Sequence, residues 1–535
     1  MLRKQPAWSP EAGAEPNLAE PAPSANEEVE LKLLAPAGVL DKLCEAPVIV
    51  RYGRSAGATH RLEATYYDTG DCALFSHGLS LRVRRAGKKY FQTLKCGPTD
   101  GQPFSRAEWE CLVTGDGPDL AQLPVSEIGA PLDGLSPDAL APIFRTTVRR
   151  RTQRLDVGGT IVEVAFDDGT IKAGDRSEAL SELELEVTSG DRRVLYDLGL
   201  ELLETAPLRI GIRSKSDRGY ELALGVAPKA TKATPPLITA EHSVDDIVGL
   251  LLANCQHHLL ANQAVAEAGQ DPEGVHQMRV ALRRMRSACS LLRREIGSTS
   301  LAGFNAEAKW LAQLLGAARD WDVFVRETII APSEAVETDL FNFDGLREAA
   351  EPHRVAAYAA LREALASRRY NRFQLSLRRW IESHGWRNEL EDRSLAVLLE
   401  PSPVFACRVL TQLHRTVLKR GEHFRRLEPS ARHRVRVELK KLRYAVDFFR
   451  GALGENTEAR NYIGQLAQLQ DDLGHDHDAS VAWPLLCALA RDSDASDVQR
   501  SIGMVMGWQA RGRFVVGRLH KSWQQFKSMP TFWSG

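Results

Sequence analysis

Residues 27–33 read EEVELKL and alternate charged and apolar side chains. Because successive side chains of a β-strand point to opposite faces of a sheet, this pattern predicts a strand. One face of that strand carries Glu28, Glu30 and Lys32, and the other face carries the apolar residues between them. The charged face is either a solvated outer surface with cross-strand ion pairs or a surface that binds a ligand.

The same period of two continues to about residue 224. The stretches SLRVRRAGKKYFQTLK, SRAEWECLV, TTVRRRTQRLDV, TIVEVAFDDGTI and LSELELEV predict strands, joined by turns that contain Gly and Asp. One segment, VLYDLGLELLE at residues 194–204, instead predicts a helix. Residues 27–224 are therefore predicted to form an antiparallel, β-rich domain.

The charges on these predicted strands are segregated by sign. Arg82 and Arg84 lie on a cationic strand and residues 149–154 on another, whereas SELELE at residues 181–186 is anionic. Three glutamates two residues apart repel one another unless a cation lies among them, and Mg²⁺ or Mn²⁺ binds clustered carboxylates. Arginine forks match phosphate oxygens. This combination favours a site for a polyphosphate and a metal, with the charged faces turned inward around a closed barrel.

The rest of the 535-residue chain differs in character. Residues 1–26 are rich in Pro, Ala and Glu and predict a disordered leader, whereas residues 225–240 predict a linker. Over residues 241–535 the hydrophobic period is 3.6, which predicts an all-α domain. The eight scattered cysteines include no C-x-x-C pair, which argues against a disulfide framework or a cysteine zinc site and for a cytoplasmic location. No apolar run is long enough to predict a membrane span.

The helical half contains an internal repeat. VHQMRVALRRMR begins at Val275 and RHRVRVELKKLR begins at Arg432, and their histidines are 433 − 276 = 157 positions apart. LGAARD begins at residue 315 and LGHDHD at residue 473, and 473 − 315 = 158. Two matched motifs at nearly one offset predict a duplicated helical bundle, with repeats at about residues 241–395 and 396–535.

Each repeat carries a basic stripe on one helix face. Positions i, i+3, i+7 and i+10 share a face at about 100° per residue. Like charges at this spacing destabilise a helix, so a bound polyanion explains the stripes better than a solvated basic face does. Each histidine has basic rather than acidic neighbours, which favours an anion over a metal ion. The stripe residues are His276, Arg279, Arg283 and Arg286 in the first repeat and His433, Arg436, Lys440 and Arg443 in the second.

The sequence HDHD at residues 475–478 would by itself suggest a metal cluster. Its alignment with LGAARD instead favours a helix-packing role for Asp320 and Asp478, or a role in orienting basic residues.

The motifs of the β-rich half resemble those of a known family. EVELK resembles the ExExK signature of the CYTH family, also called triphosphate tunnel metalloenzymes. YYDT, LSLRVR, QTLK, SRAEWE, FRTTVRR, VEVAFDDGTI, SELELE and IRSKSDRGY follow in the family's order. The resemblance implies an eight-stranded antiparallel tunnel that binds triphosphate. It also implies hydrolysis of inorganic or thiamine triphosphate, removal of RNA 5′-triphosphate ends, or cyclisation of ATP.

The resemblance assigns roles to individual positions. Metal-side acids, for Mg²⁺ or Mn²⁺, would be Glu28, Glu30, Asp167, Glu182 and Glu184. Phosphate-binding cations would be Lys32, Arg82, Arg84, Lys95 and Arg150, with Arg150 taken from the run at residues 149–151 by its spacing after Phe144. Lys215 would protonate or neutralise the leaving oxygen, and Glu108 and Glu110 would be further inward-facing acids.

The helical half resembles the CHAD family, the conserved histidine α-helical domains. The two histidine–arginine helices carry this resemblance, together with KWLAQLLGAARDWDVF, SRRYNRF and LKKLRYAVDFF. The family is associated with binding of inorganic polyphosphate through this basic surface and often follows a CYTH domain. The resemblance therefore implies polyphosphate contacts for both stripes.

Together these features favour a metal-dependent inorganic triphosphatase whose second domain binds polyphosphate. One alternative is a polyphosphate-binding protein, localised to polyphosphate granules, with weak or different tunnel activity such as that of a thiamine triphosphatase or adenylate cyclase. The sequence offers no clear adenine pocket for a cyclase. A third class, nucleic-acid binding, is disfavoured because few aromatic residues lie among the basic positions.

Overall fold

A computed structural model describes residues 26–54, 57–97, 105–129, 132–336, 340–454, 457–473, 475–511 and 516–533. The predicted disordered leader, residues 1–26, lies outside this description except for Asn26.

Nine antiparallel strands form one sheet in the order β5-β4-β3-β2-β6-β7-β8-β1-β9, and β1 also pairs with β5. This extra pairing closes β1 to β8 into a barrel, which confirms the predicted eight-stranded tunnel. The ninth strand has two residues, pairs with β1 and was not predicted. The strands are β1 Asn26–Leu34, β2 Ala58–Thr69, β3 Leu79–Ala86, β4 Lys89–Cys96, β5 Ser105–Val113, β6 Leu140–Val157, β7 Thr160–Ala173, β8 Arg176–Ser189 and β9 Arg209–Ile210.

The barrel turns its charged faces inward and its apolar faces outward. In the β1–β8 ladder, Lys32 lies opposite Glu184 and Leu33 lies opposite Leu183. Both leucines are fully buried, because helices cover the outer surface of these strands. The solvated outer face considered for the alternating strands is therefore wrong, since the apolar side is the one that packs outward.

Six helices accompany the barrel in the described part of the chain. Helix α5, which the periodicity of residues 194–204 predicted, covers the outer face of β1. Helix α6 was not predicted, because the period of two was extended to residue 224. The helices are α1 Leu40–Cys44, α2 Pro47–Tyr52, α3 Ala73–Ser76, α4 Val125–Ile128, α5 Arg193–Thr205 and α6 Lys215–Leu224, with 3₁₀ turns at Leu120–Gln122 and Pro137–Ala139.

Helix α6 closes one end of the barrel lumen. Its Tyr220 is fully buried and stacks on Phe75 with ring centroids 4.1 Å apart. Phe144, on the inner face of β6, packs edge-on against Tyr220 and stacks on Tyr66 of β2 at 4.3 Å. Gly219 permits this approach, since a Cβ atom there would lie 2.1 Å from the Phe144 ring. The lumen is thus sealed at one end by an aromatic cluster.

The second domain is helical and duplicated, as predicted. Helices α9 and α16 each have 25 residues and begin with proline at positions 272 and 429, again 429 − 272 = 157 apart. The helices are α7 Val244–Ala261, α8 Gln263–Ala268, α9 Pro272–Ile296, α10 Ser300–Val323, α11 Ile330–Glu334, α12 Phe343–Ala366, α13 Arg368–Glu382, α14 Asp392–Leu398, α15 Ser402–Arg420, α16 Pro429–Leu453, α17 Thr457–Asp472, α18 His475–Asp492, α19 Ser496–Arg511 and α20 Val516–Lys527. Shorter turns lie at Phe324–Thr328, which is π-helical, and at Gly385–Glu389 and Phe424–Arg426.

The two domains share one hydrophobic core, which runs from the outer face of β1 through α5 to α13 and α7. Gly199 of α5 lies at the centre of this contact. A Cβ atom there would lie 3.0 Å from Leu31 of β1 and 3.2 Å from Leu375 of α13. The helical domain is therefore packed directly behind the strand that carries the EVELK motif.

Residues 225–240, between α6 and α7, contain no helix or strand but are held by buried side chains. The Thr231 carbonyl accepts hydrogen bonds from His258 Nε2 at 3.1 Å and from Asn262 Nδ2 at 2.9 Å. The Thr234 carbonyl accepts one from Arg284 Nη2 at 3.1 Å. This segment is consequently attached along its length to the helical domain.

All eight cysteines are free thiols. Among the described helices, none combines the length and apolar character needed to cross a membrane.

Candidate functional site

Three carboxylates converge inside the barrel and are called here the acid cage: Asp167 of β7 and Glu182 and Glu184 of β8. Asp167 lies opposite Glu182 in the ladder, and Glu184 is two residues further along the same face. Each contributes an oxygen within 4.8 Å of the others. Asp167 and Glu182 are fully buried. Such a concentration of negative charge requires cations in contact with it.

Three of the predicted cations fill and surround the acid cage. The Nζ atom of Lys215, at the start of α6, lies 2.8 Å from Asp167, 2.5 Å from Glu182 and 2.7 Å from Glu184. Lys32 Nζ lies 3.3 Å from Glu184 and 3.4 Å from Glu30. The Arg150 guanidinium donates to both oxygens of Asp167, at 2.7 and 2.6 Å, and to Glu184 at 2.5 Å.

These contacts favour the charged forms of Lys215, Asp167 and Glu184. Burial by itself would lower the pKa of Lys215, but its three carboxylate neighbours outweigh burial and raise that pKa well above its ordinary value. Burial would raise the pKa of Asp167 and of Glu184, but Lys215 and Arg150 lower both pKa values. Lys215 therefore remains an ammonium ion at neutral pH and is a poor proton donor there.

A second cluster, called here the arginine wall, lies on strands β3, β4 and β5. Lys95 Nζ lies 2.9 Å from Glu108, which is also 3.8 Å from Arg82. Arg84 lies 3.0 Å from Glu110. The wall thus sets three cations against two carboxylates.

The guanidinium groups of the arginine wall retain unused donors. The Nε atoms of Arg82 and Arg84 are buried and have no hydrogen-bond partner among the described residues. Burial lowers the pKa of Arg84, and the neighbouring Arg82 and Arg150 lower it further. Buried unsatisfied donors of this kind are costly and are stabilised by an anionic acceptor.

The structure separates the neighbouring arginines of β6. Arg150 points into the lumen, whereas Arg149 is largely exposed and pairs with Asp168 at 3.4 Å and Asp41 at 3.6 Å. Glu186 lies opposite Glu30 in the β1–β8 ladder. Glu28 is on β1, but its side chain lies outside the described set.

The two charged clusters include partners that sequence reasoning missed. Arg218 of α6 donates to Glu178 at 2.8 Å and to Glu182 at 3.3 Å, so it helps to hold the acid cage. Thr93 of β4 is fully buried and donates to Glu110 at 3.1 Å. The available signal for Arg218 was its i+3 spacing from Lys215, visible only once that segment is read as a helix. Thr93 had no comparable signal.

The acid cage suits a divalent cation in its donor chemistry, since it offers only carboxylate oxygens, as Mg²⁺ and Mn²⁺ prefer. The position of Lys215 shows that the cage stabilises positive charge at its centre. A metal ion would either share these carboxylates with the Lys215 ammonium group or bind their other oxygens, those not paired with Lys215, together with Glu30. The residues therefore fit a metal, in competition with Lys215.

In the first basic stripe, His276 and its three arginines are half-buried on α9, and Met278 on the opposite side of the helix is fully buried. Burial lowers the pKa of His276, and the nearby Arg319, Arg283 and Arg279 lower it further. Arg319, which belongs to LGAARD on α10, was not among the predicted stripe residues.

Asp320 interacts electrostatically with Arg279 and raises its pKa, against the larger effect of burial. This contact agrees with the orienting role considered for Asp320. The side chain of Asp478, its counterpart in LGHDHD, lies outside the described residues.

The second basic stripe lies on α16. His433 and Arg443 are exposed, and Arg436 and Lys440 are half-buried. Arg443 donates to Gln470 of α17 at 3.0 Å. The apolar residues that separate the stripe positions, Val435, Leu439, Leu442 and Val446, are buried as the pattern predicted.

Comparison with known proteins bears on both halves of the chain. A family model described as CYTH domain matches residues 26–220, and one described as CHAD domain matches residues 250–487. The chain is 34% identical over 164 residues to the inorganic triphosphatase of Haemophilus influenzae, which covers 30% of this chain and 45% of that protein. It is 28% identical over 323 residues to an uncharacterised protein of Mycobacterium tuberculosis, covering 57% of this chain and 59% of that protein.

The chain thus spans about half the length of the curated relatives it matches. A solved structure, the CHAD domain from the plant Ricinus communis, is similar with a TM-score of 0.49 and 27% identity, over 56% of this chain and 98% of that chain. The two family matches follow one another along the sequence in the order of the barrel and the helical bundle, and the chain therefore belongs to the proteins that carry a CYTH domain followed by a CHAD domain.

Proposed function

We propose that the barrel is a metal-dependent inorganic triphosphatase, which hydrolyses triphosphate to diphosphate and phosphate. The observation that carries this proposal is the pair of buried, partnerless Nε donors on Arg82 and Arg84, which face a lumen that also holds the acid cage. The name of the Haemophilus influenzae relative supports the same reaction class.

The arginine wall supplies the anion-binding surface for this reaction. Its cations exceed its carboxylates by one, and its unused guanidinium donors suit phosphate oxygens, which accept two parallel hydrogen bonds. Because α6 seals one end of the lumen, triphosphate enters from the opposite end and lies between the arginine wall and the acid cage. Hydrolysis of a phosphoanhydride needs positioning and charge neutralisation more than covalent catalysis.

Mg²⁺ or Mn²⁺, held by Glu30, Glu184 and the remaining oxygens of the acid cage, would add positive charge at the phosphate oxygens and polarise the P–O bonds. Glu28 is proposed as a further ligand from its place in the EVELK motif.

The cations that contact the acid cage have separate tasks in this proposal. Arg150 contacts two cage carboxylates and interacts electrostatically with Arg84, so it lies where the two clusters meet. It stabilises the negative charge that develops on the transferred phosphoryl group. Lys215 neutralises the leaving oxygen by its charge, since its raised pKa keeps the proton on the amine.

We propose further that the helical domain binds inorganic polyphosphate along its two stripes. The support is physical: Arg283 and Arg286 have buried Nε atoms without a hydrogen-bond partner among the described residues, and neither forms an ion pair there. A polyphosphate would satisfy these donors and relieve the repulsion between neighbouring arginines.

The test is phosphate release from inorganic triphosphate, thiamine triphosphate, ATP and long-chain polyphosphate, each with Mg²⁺ and with Mn²⁺. We expect triphosphate to be the preferred substrate. The variant Glu184→Gln should lose most of this activity, whereas the control Asp168→Asn should retain it, because Asp168 lies on the outer face of β7. Conversion of ATP to a cyclic product at a higher rate, or full activity in Glu184→Gln, would contradict the proposal.

A further inference from the structure

The two-residue strand β9 lies between the tunnel and the helical domain. On its inner side, Ile210 pairs with Leu33 of β1, and the Gly211 amide donates to the Lys32 carbonyl at 3.0 Å. Gly211 also lies against the Lys32 side chain, since a Cβ atom there would be 3.3 Å from Lys32 Cγ. The segment that begins at β9 thus supports the backbone and the stem of a cage lysine.

On its outer side, β9 is held by the helical domain at both of its residues. The Ile210 amide donates to Asn371 Oδ1 of α13 at 3.0 Å. Asn371 is fully buried, and its Nδ2 atom donates to the Ser367 carbonyl at 2.9 Å, so its orientation is fixed. The other residue of β9, Arg209, forms an ion pair with Glu267 of α8.

The chain that leaves β9 leads directly to the second cage lysine. Five residues after Ile210 the chain reaches Lys215, the first residue of α6. A capping box between Ser214 and Asp217 fixes where this helix starts. The position of β9 therefore determines where α6 begins, and the start of α6 places the Lys215 ammonium group in the acid cage.

We propose that Asn371 and Glu267 are positioning residues for the tunnel, through which the helical domain holds both cage lysines in place. Neither residue touches the lumen; both act through β9. This inference rests on the proposed hydrolase activity for its kinetic consequence, but its structural content can be tested without substrate.

The same interface offers a matched control. Glu204 of α5 forms ion pairs with Arg368 and Arg372 of α13, so it also ties the two domains together. These pairs lie on the surface, and among the described residues none of their ion-pair or hydrogen-bond partners belongs to β9. Loss of Glu204 weakens the domain contact without releasing the strand that supports the lysines.

The experiment compares Asn371→Ala, Glu267→Gln and Glu204→Gln in the full-length chain. Two readouts are needed: steady-state kinetics with triphosphate, and hydrogen exchange of residues 30–34 and of Gly211 without substrate. We expect Asn371→Ala to lower kcat/KM by about 10- to 100-fold, the scale of a small misplacement of reacting groups, and to speed exchange at these amides. Glu204→Gln should stay within about twofold of the wild type in both readouts, because a surface ion pair contributes little.

A charge-reversal pair provides a second test that does not depend on the folding of Asn371→Ala. Arg209→Glu and Glu267→Arg should each lower kcat/KM and reduce the protection of residues 30–34 and Gly211 from hydrogen exchange. The double variant should restore both quantities. Equal losses in Asn371→Ala and Glu204→Gln, or no rescue in the double variant, would overturn the inference. If the wild type fails to hydrolyse triphosphate, the proposed function fails, and positioning is then decided by the exchange of the Gly211 amide and residues 30–34 alone.

Discussion

The tunnel and the first basic stripe both concentrate cations, but they neutralise them differently. In the lumen, each of the six candidate cations has a carboxylate within 4 Å, and these cations are Lys32, Arg82, Arg84, Lys95, Arg150 and Lys215. On α9, Arg283 and Arg286 form no ion pair within the described part of the chain. The tunnel is a preassembled ionic network, whereas these two stripe arginines have no carboxylate partner among the described residues.

This difference indicates that the tunnel suits catalysis, whereas the stripe suits binding. A network of buried pairs holds its side chains in place before substrate arrives, which is the requirement for stabilising a transition state. A stripe of half-buried cations would gain its partners only when the proposed polyanion binds, so its contribution would be affinity for any polyanion of suitable spacing. Four predictions test this contrast, from the largest expected effect to the smallest.

Removal of divalent metal should affect the tunnel and leave the stripe unchanged. Chelation with EDTA should lower triphosphate hydrolysis by about a thousandfold or more, because a metal ion provides several kcal/mol of charge stabilisation. Binding of long-chain polyphosphate, measured by fluorescence anisotropy, should persist in EDTA. Polyphosphate binding that disappears with the metal would show that both surfaces rely on the same cation.

Arg150→Ala should lower kcat/KM for triphosphate by about 100- to 1,000-fold, the usual cost of losing one donor to a developing negative charge. The substitution also leaves Asp167 and Glu184 without their strongest hydrogen-bond donor. The control is Arg149→Ala, one residue away on the exposed face of β6, which should remain within about twofold of the wild type. Circular dichroism of both variants checks that the fold is retained. Similar losses in both would show that the effect comes from the strand and not from the lumen.

Acid should destabilise the helical domain before the tunnel. Burial lowers the pKa of His258 to about 4, whereas an unfolded histidine takes up its proton near pH 6.5. The unfolded state therefore binds more protons over this range, and stability falls by about 3 kcal/mol as the pH drops from about 6.5 to 4. The pKa values of Asp167 and Glu184 are lowered instead, so their contribution is lost only at still lower pH, as they become protonated.

Urea unfolding followed by tryptophan fluorescence can measure this pH dependence, since eight of the ten tryptophans lie in residues 241–535. The variant His258→Gln should flatten the profile between pH 6.5 and 4. A wild-type stability that is constant over this range would contradict the assignment of a neutral His258.

A single change on the stripe should have the smallest effect. Arg283→Gln should weaken polyphosphate binding about fivefold, equivalent to ~1 kcal/mol for one partly exposed charge, and reduce its salt dependence. Triphosphate hydrolysis should not change. Arg294→Gln is the control, because Arg294 lies on the same helix but pairs with Glu295 at 2.7 Å. Equal weakening by both variants would indicate binding to net charge alone.

The sequence was informative where a period was long and regular. The alternation in β1 and β8 predicted the strands and identified which residues share a face, but it could not decide whether the charged face was inside. The segregation of charges by sign and the order of family motifs favoured the inside, and the burial of Leu33 and Leu183 shows the apolar face packed outward. The duplicated helices were predicted from an offset of 157 residues and occur at that offset.

Short or context-dependent elements could not be predicted in the same way. Helix α6 has ten residues, and its clearest local signal was the Ser214–Asp217 capping pattern. Strand β9 has two residues, and its position depends on Asn371, 161 residues away in the sequence. The segment 225–240 was identified as a linker by composition, but its fixed course depends on His258, Asn262 and Arg284 of later helices.

The aromatic plug formed by α6 has a consequence for the products of longer phosphate chains. In the proposed tunnel, which the plug closes at one end, a polymer could not be threaded from one side to the other, so a polyphosphate that entered would do so by its terminus. Cleavage would then shorten chains from the end and leave the interior bonds intact, giving a gradual decrease in length and no medium-sized fragments. The seal made by Tyr220, Phe144 and Phe75 would thus decide which bond of a long chain is within reach of the proposed site.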